Sequence, residues 1–342
     1  MDQLIIDGAR GEGGGQVLRT SLSLAAITGR AVRIDNVRAR RAKPGLQRQH
    51  LTCVKAAAAI CDGELRGASV GSGRVDFTPG AVRAGDYTFD IGSAGGTGLV
   101  LQTVIPILLG APGPSTVTVI GGTHNPMAPC FDFIAGAFAP LIARMGGGLT
   151  LTIERHGFYP AGGGRVTCAV TPAAWTPIEV STAGPVTRRS ARAIVARLPT
   201  HVAERELAIV RERLGFAADE CAIVPVPAAS PGNTLLLEIE RGGVTEIVTA
   251  FGEKGVRAEL VAATACDELE AMLAVDAPVG PHLADQLLLP MALAARAGAG
   301  RSAIRTGPLT LHTTTNLDTI ALFLDVKRQR TEADGTNELA IT

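Results

Sequence analysis

Aromatic residues are scarce in this sequence: nine Phe, two Tyr and one Trp, 4% of 342 residues. That is too few rings to stack a long run of bases. Net charge is missing as well, since 32 Lys+Arg face 32 Asp+Glu. The balance argues against a protein that coats nucleic acid by bulk charge, while leaving room for a local basic site. Lysine occurs only at Lys43, Lys55, Lys254 and Lys327, so arginine supplies most of the cations, and arginine suits bidentate phosphate contacts. None of the six cysteines forms a Cys-x-x-Cys pair, which argues against a zinc ribbon or redox motif and predicts buried free thiols in a reducing compartment. No apolar run approaches the ~18 residues of a membrane helix. The opening Met1-Asp2-Gln3-Leu4 has neither the basic nor the apolar region of an export signal. A soluble, cytoplasmic protein that does not engage a membrane is the expectation.

What is present is a core-forming composition. Hydrophobic residues reach 46% against 19% charged, which excludes a disordered chain. The 41 glycines follow no collagen-like period. At roughly 150 residues per domain, the length suggests about two domains.

One pattern recurs. Leu4-Ile5-Ile6-Asp7-Gly8 reads as a short strand, followed by Gly11-Glu12-Gly13-Gly14-Gly15-Gln16 and an apolar helix from Val17 to Ile27. Tyr87-Thr88-Phe89-Asp90-Ile91 is again strand-like, followed by Gly92-Ser93-Ala94-Gly95-Gly96-Thr97-Gly98 and a helix carrying Leu99, Val100, Leu101, Val104 and Ile105. Strand, glycine turn and apolar helix recur at a fixed spacing, which reads as internal duplication. Each copy has a second helix, near Leu46–Cys61 and Phe131–Met145, and a third, partial copy shows helix patterns near Leu283–Ala295 and Asn316–Leu324. This predicts an α/β fold of repeated sheets with helices on one face. Two turn-rich stretches, Ser181–Pro185 and Asp276–Pro281, bracket an Arg/Glu-rich helix near Arg189–Leu214, strands Thr234–Glu240 and Glu246–Gly252, and a helix near Val256–Leu273. The predicted organisation is therefore repeats one and two over residues 1–183, a small inserted α/β domain over 184–276, and a third repeat over 277–342.

Three constellations carry chemistry. The Gly11–Gln16 turn is neither a dinucleotide fingerprint nor a P-loop, because Gln16 replaces the last glycine and no Gly-Lys-Ser/Thr follows. It is compatible with a plain turn or with an anion site at a helix N-terminus. Glu12 within it suits Mg²⁺ beside a triphosphate, or the helix terminus itself. The stretch Arg33–Arg48 places Arg33, Arg38, Arg40, Arg41, Lys43 and Arg48 against Asp35 alone, as a solvated basic face or as loop cations converging on phosphate. Among six histidines, none in H-x-x-x-H spacing, His312 stands out because Thr313-Thr314-Thr315-Asn316 follows, a polar run that reads as a site loop. A lone histidine is commonly structural, yet a neutral imidazole can also attack phosphorus.

These residues resemble the RNA 3'-terminal phosphate cyclases. The resemblance rests on Asp7–Arg19, on Arg38-Ala39-Arg40-Arg41-Ala42-Lys43-Pro44-Gly45-Leu46, and on Arg48-Gln49-His50-Leu51. It extends to Gly92-Ser93-Ala94-Gly95, His156–Gly164, Gly252-Glu253-Lys254-Gly255, His282-Leu283-Ala284-Asp285-Gln286 and His312–Asn316. It implies three α/β repeats, each a four-stranded sheet with two helices, plus a smaller insert. The implied activity is that of a ligase: ATP-dependent conversion of an RNA 3'-phosphate into a 2',3'-cyclic phosphate through a histidine-bound AMP. By the same resemblance, His312 is the AMP acceptor and Glu12 lies near the nucleotide and a divalent cation such as Mg²⁺. Arg19, Arg38, Arg41 and Gln49 bind phosphate or the RNA end, and Gln102, Pro129, His282, Asp285 and Gln286 form the ATP pocket. His282 stands where the family pattern has an aromatic residue against adenine; an imidazole can also stack. Partners are then ATP and RNA 3'-phosphate ends, with contact limited to a few terminal nucleotides. Competing readings are a non-catalytic cyclase-like ribosome-assembly protein, which lacks the histidine, an enolpyruvyl transferase of similar repeats, and adenylation of 5'-phosphate ends as a side activity. The lysine motif K-x-D-G of ordinary ligases is absent.

Overall fold

A computed structural model describes residues 3–342; Met1 and Asp2, part of the opening segment read for an export signal, lie outside the described residues. The first unit runs β1 (Leu4–Asp7), α1 (Gly15–Thr28), β2 (Val32–Asp35), α2 (Arg48–Cys61), β3 (Glu64–Arg66) and β4 (Val75–Thr78). The second runs β5 (Asp86–Asp90), α3 (Thr97–Leu109), β6 (Ser115–Gly121), α4 (Ala139–Arg144), β7 (Gly148–Arg155) and β8 (Gly164–Thr171). Next come β9 (Glu179–Val180), then β10 (Val186–Ala196), α5 (His201–Leu214), β11 (Cys221–Pro225), β12 (Gly232–Arg241), β13 (Val244–Phe251) and α6 (Ala258–Ala274). The chain closes with α7 (Pro281–Arg296), β14 (Ser302–Thr306), α8 (Leu311–Ala321), β15 (Arg328–Ala333) and β16 (Thr336–Ile341).

Three sheets share one order: β1-β2-β4-β3, β5-β6-β8-β7 and β9-β14-β16-β15. In each, the first two strands are parallel and the remaining pairings antiparallel. The third sheet takes its first strand, β9, from ahead of the β10–α6 segment, so that segment interrupts the third unit after one strand. A fourth sheet, β11-β10-β12-β13, puts its first strand in the middle instead of at an edge.

The fourth sheet also explains a misread element. Arg/Glu-rich composition suggested one helix over Arg189–Leu214, but Val186–Ala196 is a strand and the helix begins only at His201. Along β10 the inner side chains alternate between two cores, as the period of a strand requires. Ala191, Ala193 and Val195 face a core shared with α5 and α6, while Ile194 and Ala196 join the main core. A strand buried on both faces tolerates few charges in its inner half, and the one arginine there, Arg192, is paired with Asp132.

The main core is built where the helices of the three repeats meet. Helix α1 packs on α2, α3 and α8, and α7 packs on α8. Their apolar faces, including Leu18, Leu22, Leu101, Ile105, Leu287 and Leu288, are fully buried, each such side chain stabilising the fold by roughly 1.5–3 kcal/mol. Helix α1 ends at Gly29, whose φ of 70° is the left-handed conformation that stops a helix most cheaply in glycine. The Phe131–Met145 region is helical but passes through a π-helical stretch, Phe133–Phe138, before α4. All six cysteines are free, five of them buried. Among the described residues no helix is long and apolar enough to cross a membrane.

Candidate functional site

The glycine run before α1 is shaped by what crowds it. Gly11 and Gly13 have φ of 54° and 63°, values that disfavour any residue with a Cβ. A Cβ on Gly11 would also come within 2.1 Å of Thr315 Oγ1. The turn is thus pressed directly against α8, 300 residues away. Glu12 N–H donates to Thr315 Oγ1 at 3.0 Å, and Gly14 N–H donates to Glu12 Oε2 at 3.0 Å. The Glu12 carboxylate therefore serves the N-terminus of α1, where the helix dipole favours negative charge, and it also pairs with Arg41.

His312 is the second residue of α8. The polar run His312–Asn316, read as a loop, lies instead in the first turns of that helix. Thr310 is the reason: its Oγ1 accepts the Thr313 N–H at 3.1 Å and caps the helix. The cap projects His312 over the glycine turn. Its Nδ1 lies 2.8 Å from Gln16 Oε1 and its Nε2 lies 3.6 Å from Glu12 Oε1, with about half of the side chain exposed. Burial holds the imidazole below its usual pKa; Asp285 opposes this, and Arg19, Arg41 and His282 add to it. The ring is neutral near pH 7.

Beneath the imidazole lies a polar network linking α1, α3, α7 and α8. Asp285, buried on α7, accepts from Gln16 Nε2, from Asn316 Nδ2 at 3.2 Å and from Gln286 Nε2 at 2.9 Å. Gln286 in turn bonds Gln102 of α3, and Asn316 accepts from Thr20 Oγ1 at 2.9 Å. Burial pushes Asp285 upward, while the bonds from Gln16 and Asn316 and the charges of His312 and Arg19 oppose it. Gln16, Arg19, Gln102, Asp285, Gln286 and Asn316 line one cleft, whose apolar wall includes Phe133, Phe138 and Leu289.

The cations gather at the same place. Arg38 has φ of 54° and is held by Nη1 donating to Lys43 O at 2.7 Å and Gly45 O at 2.9 Å. Arg19 lines the cleft; among the described residues neither Arg19 nor Arg38 has a carboxylate within ion-pair distance. Burial depresses both, and Arg19 adds to the depression of Arg38. His50, buried beside Arg19, falls to about 3 through burial and through Arg19, Arg38 and Arg41, so it stays neutral. A cluster of crowded guanidinium groups and a neutral imidazole calls for an anion. Of the other arginines in the basic stretch, Arg40 stays at the turn, donating to Gly11 O at 3.0 Å, while Arg33 turns away to Asp76 and Arg48 to Gly92 O.

A family model described as RNA 3'-terminal phosphate cyclase matches residues 10–329. The chain belongs to the RNA 3'-terminal phosphate cyclase family. It is 47% identical over 334 residues to the RNA 3'-terminal phosphate cyclase of Ectopseudomonas mendocina (strain ymp), covering 97% of this chain and 96% of that protein. It is 45% identical over 344 residues to that of Koribacter versatilis (strain Ellin345), covering 100% of this chain and 96% of the relative.

In this member of the cyclase family, the residues singled out from sequence divide into two groups. Glu12, Arg19, Arg38, Arg41, Gln102, Asp285, Gln286 and His312 surround the α1 turn and its cleft. Gln49, Pro129 and His282 lie further round. Gln49 Oε1 accepts the Gly96 N–H at 3.0 Å, at the start of α3, where Pro129 packs against Gly98. His282 opens α7 and is mostly exposed, its Nε2 3.5 Å from Glu268 Oε1, which raises its pKa. Sequence reasoning passed over Gln16, Thr20 and Asn316 as site residues. Gln16 had left a signal, since it occupies the place where a further glycine would complete a dinucleotide turn. Asn316 sat at the end of the polar run after His312, whereas Thr20 had no signal, because its role depends on one hydrogen bond to Asn316, 296 residues away.

Proposed function

We propose that this chain uses ATP to convert an RNA 3'-terminal phosphate into a 2',3'-cyclic phosphate, with His312 carrying AMP. The observation that carries the reading is a neutral imidazole standing over the glycine turn of α1, beside the Glu12–Arg41 pair and Arg19, an arginine without a carboxylate partner among the described residues. In the first step an imidazole nitrogen of His312 bonds to the α-phosphorus of ATP, the bond to the bridging oxygen breaks, and pyrophosphate leaves. In the second, an oxygen of the RNA 3'-phosphate bonds to that phosphorus, the N–P bond breaks, and the imidazole returns to its neutral form. The 2'-oxygen then attacks the 3'-phosphorus, loses its proton, and AMP departs. Adenylation supplies the leaving group that a phosphate dianion lacks, and the adjacent 2'-hydroxyl closes the ring with little loss of translational freedom.

Arg19, Arg38 and Arg41 suit the phosphates of either substrate, since fixed guanidinium donors stabilise charge as it develops. The cleft bounded by Phe133, Gln102, Asp285 and Gln286 joins an apolar wall to convergent polar groups, as a nucleoside site does. Among the described residues no three His, Cys, Asp or Glu side chains cluster to cage a metal. One carboxylate, Glu12, faces the α1 turn, and a single carboxylate plus substrate phosphates is a donor set that suits Mg²⁺. Bound there by Glu12, Mg²⁺ would neutralise charge on the triphosphate.

The test is labelling with ATP radioactive at the α-phosphorus, followed by cyclisation of an RNA bearing a 3'-phosphate. Acid-labile, base-stable label that vanishes in folded His312→Ala supports the proposal. Label retained in that variant rejects it.

A further inference from the structure

We propose that Gln16 is a positioning residue that keeps the proton of His312 on Nδ1. The inference rests on the reading of His312 as the AMP acceptor, but its structural half stands without it.

The argument is one of donors and acceptors. A glutamine side chain has one end that only donates and one that only accepts. Gln16 Nε2 is pinned by Asp285 Oδ1, and an ionised carboxylate only accepts. The other end, Oε1, therefore faces His312 Nδ1 at 2.8 Å as an acceptor. A neutral imidazole carries a single N–H, and the bond made by one nitrogen decides which of the two holds it. Nδ1 must donate, so the lone pair is on Nε2.

The carboxylate that pins Gln16 is held in its accepting role by two further amides. Asn316 Nδ2 reaches Oδ1 at 3.2 Å and the Asp285 carbonyl at 2.9 Å. Gln286 Nε2 reaches Oδ2 at 2.9 Å. Asn316 cannot turn over, because the Asp285 carbonyl it also meets only accepts, and Gln286 Oε1 is engaged by Gln102 Nε2. Three amide donors thus converge on Asp285, and the direction of the chain passes through Gln16 to the imidazole.

The chemical consequence is that attack needs no base. Nε2 has no proton to lose, so forming the N–P bond leaves the ring cationic with Nδ1–H still in place. The Nδ1–H···Oε1 bond then becomes charge-assisted and strengthens as the bond to phosphorus forms. Transfer of AMP onward restores the neutral ring. No proton enters or leaves at His312 in either direction.

Long-range proton–nitrogen NMR of protein labelled with nitrogen-15 in its histidine rings reads the tautomer directly, with the His312 signals assigned by their loss in His312→Ala. The expected result in the unmodified protein is a protonated Nδ1 and an unprotonated Nε2, shifting toward the Nε2–H form in Gln16→Leu. Adenylation of His312 at saturating ATP should slow by roughly 10- to 100-fold in Gln16→Leu, the range seen when a partner that orients an imidazole is removed, with the ATP concentration for half-maximal rate little changed. An Nε2–H ring in the unmodified protein overturns the proposal whether or not the variant folds. A neutral Asp285 donating to Gln16 Oε1 would produce that result. An unchanged tautomer in folded Gln16→Leu overturns it equally. If the ring is Nδ1–H and Gln16-dependent yet no AMP attaches to His312, the proton clamp stands and the AMP-acceptor reading fails.

Discussion

Gln49 and His312 occupy the same place in two different repeats. Each is the second residue of the second helix of its unit, α2 in one case and α8 in the other. Each reaches across to the glycine turn that opens the first helix of another unit. Gln49 meets Gly96 N–H ahead of α3, and His312 meets Gln16 and Glu12 ahead of and within α1. The receiving turns are also alike, since the strands before them end in Asp7 and Asp90, whose Oδ1 atoms accept from Ala9 N–H at 3.0 Å and Gly92 N–H at 2.7 Å. A third junction completes the set. Helical backbone starts at Phe131, so Asp132 is the second residue there. It bonds His124 Nε2 and Arg192 of β10, each at 2.8 Å. One scaffold position thus carries an amide, a carboxylate and an imidazole. The backbone supplies placement three times, and residue type decides whether the result is a brace, an ion pair or the AMP acceptor proposed above.

The largest test of that comparison is His312→Gln, which puts the residue of the α2 junction into the α8 junction. AMP transfer should fall by on the order of 10⁶-fold, as when a covalent nucleophile is removed. Thermal unfolding should stay close to that of the parent, because the amide can still bond Gln16. Measurable transfer would show that the position is not the chemical centre. Asp132→Ala should come next. It strips His124 and Arg192 of their shared partner and should cost roughly 3 kcal/mol in urea unfolding, at the lower end for a buried pair because Arg192 retains water. The rate of AMP transfer per folded molecule should hold, and a fall larger than the loss of folded protein would break the distinction between brace and centre.

Smaller effects sharpen the same contrast. Gln49→Ala leaves Gly96 N–H without its acceptor and should cost about 1 kcal/mol in unfolding free energy. A cyclisation defect well beyond that cost would place Gln49 on the RNA phosphate as well. The smallest effect concerns pH. Burial lowers His156, which stacks on His124 at 5.3 Å, to about 4, with His124 adding to the shift and Asp132 opposing it. Its folded pKa is below the unfolded value, so the unfolded chain binds more protons between about pH 4 and 6.5 and stability must fall as pH drops through that window. His156→Gln should flatten the slope of unfolding free energy against pH there; an unchanged slope would show that His156 does not titrate differently on unfolding.

Much of this was legible locally. Glycine turns after short apolar strands marked the starts of α1 and α3, because a left-handed backbone at Gly11 or Gly13 leaves few residues to choose from. His312 stood out because four polar residues follow it, although their hydrogen-bonding capacity goes to capping and packing α8 instead of forming a loop. What stayed hidden depends on distance along the chain. Arg192 and Asp132 are 60 positions apart, and nothing near either names the other. The strand β10 was masked by arginines in its outer half, which composition alone assigns to a helix. The turn of His282 toward Glu268 on α6 likewise follows from how the interrupting segment sits on the main core.

The bond between Glu12 N–H and Thr315 Oγ1 joins residues 303 positions apart. During synthesis the ribosome has delivered the turn, its arginines and most of the cleft long before the imidazole exists. Strand β16, which lies between β14 and β15, follows α8 in the chain. A nascent chain therefore holds the arginines around the α1 turn well before the imidazole that will stand over it, and the turn is completed only once α8 has emerged and packed.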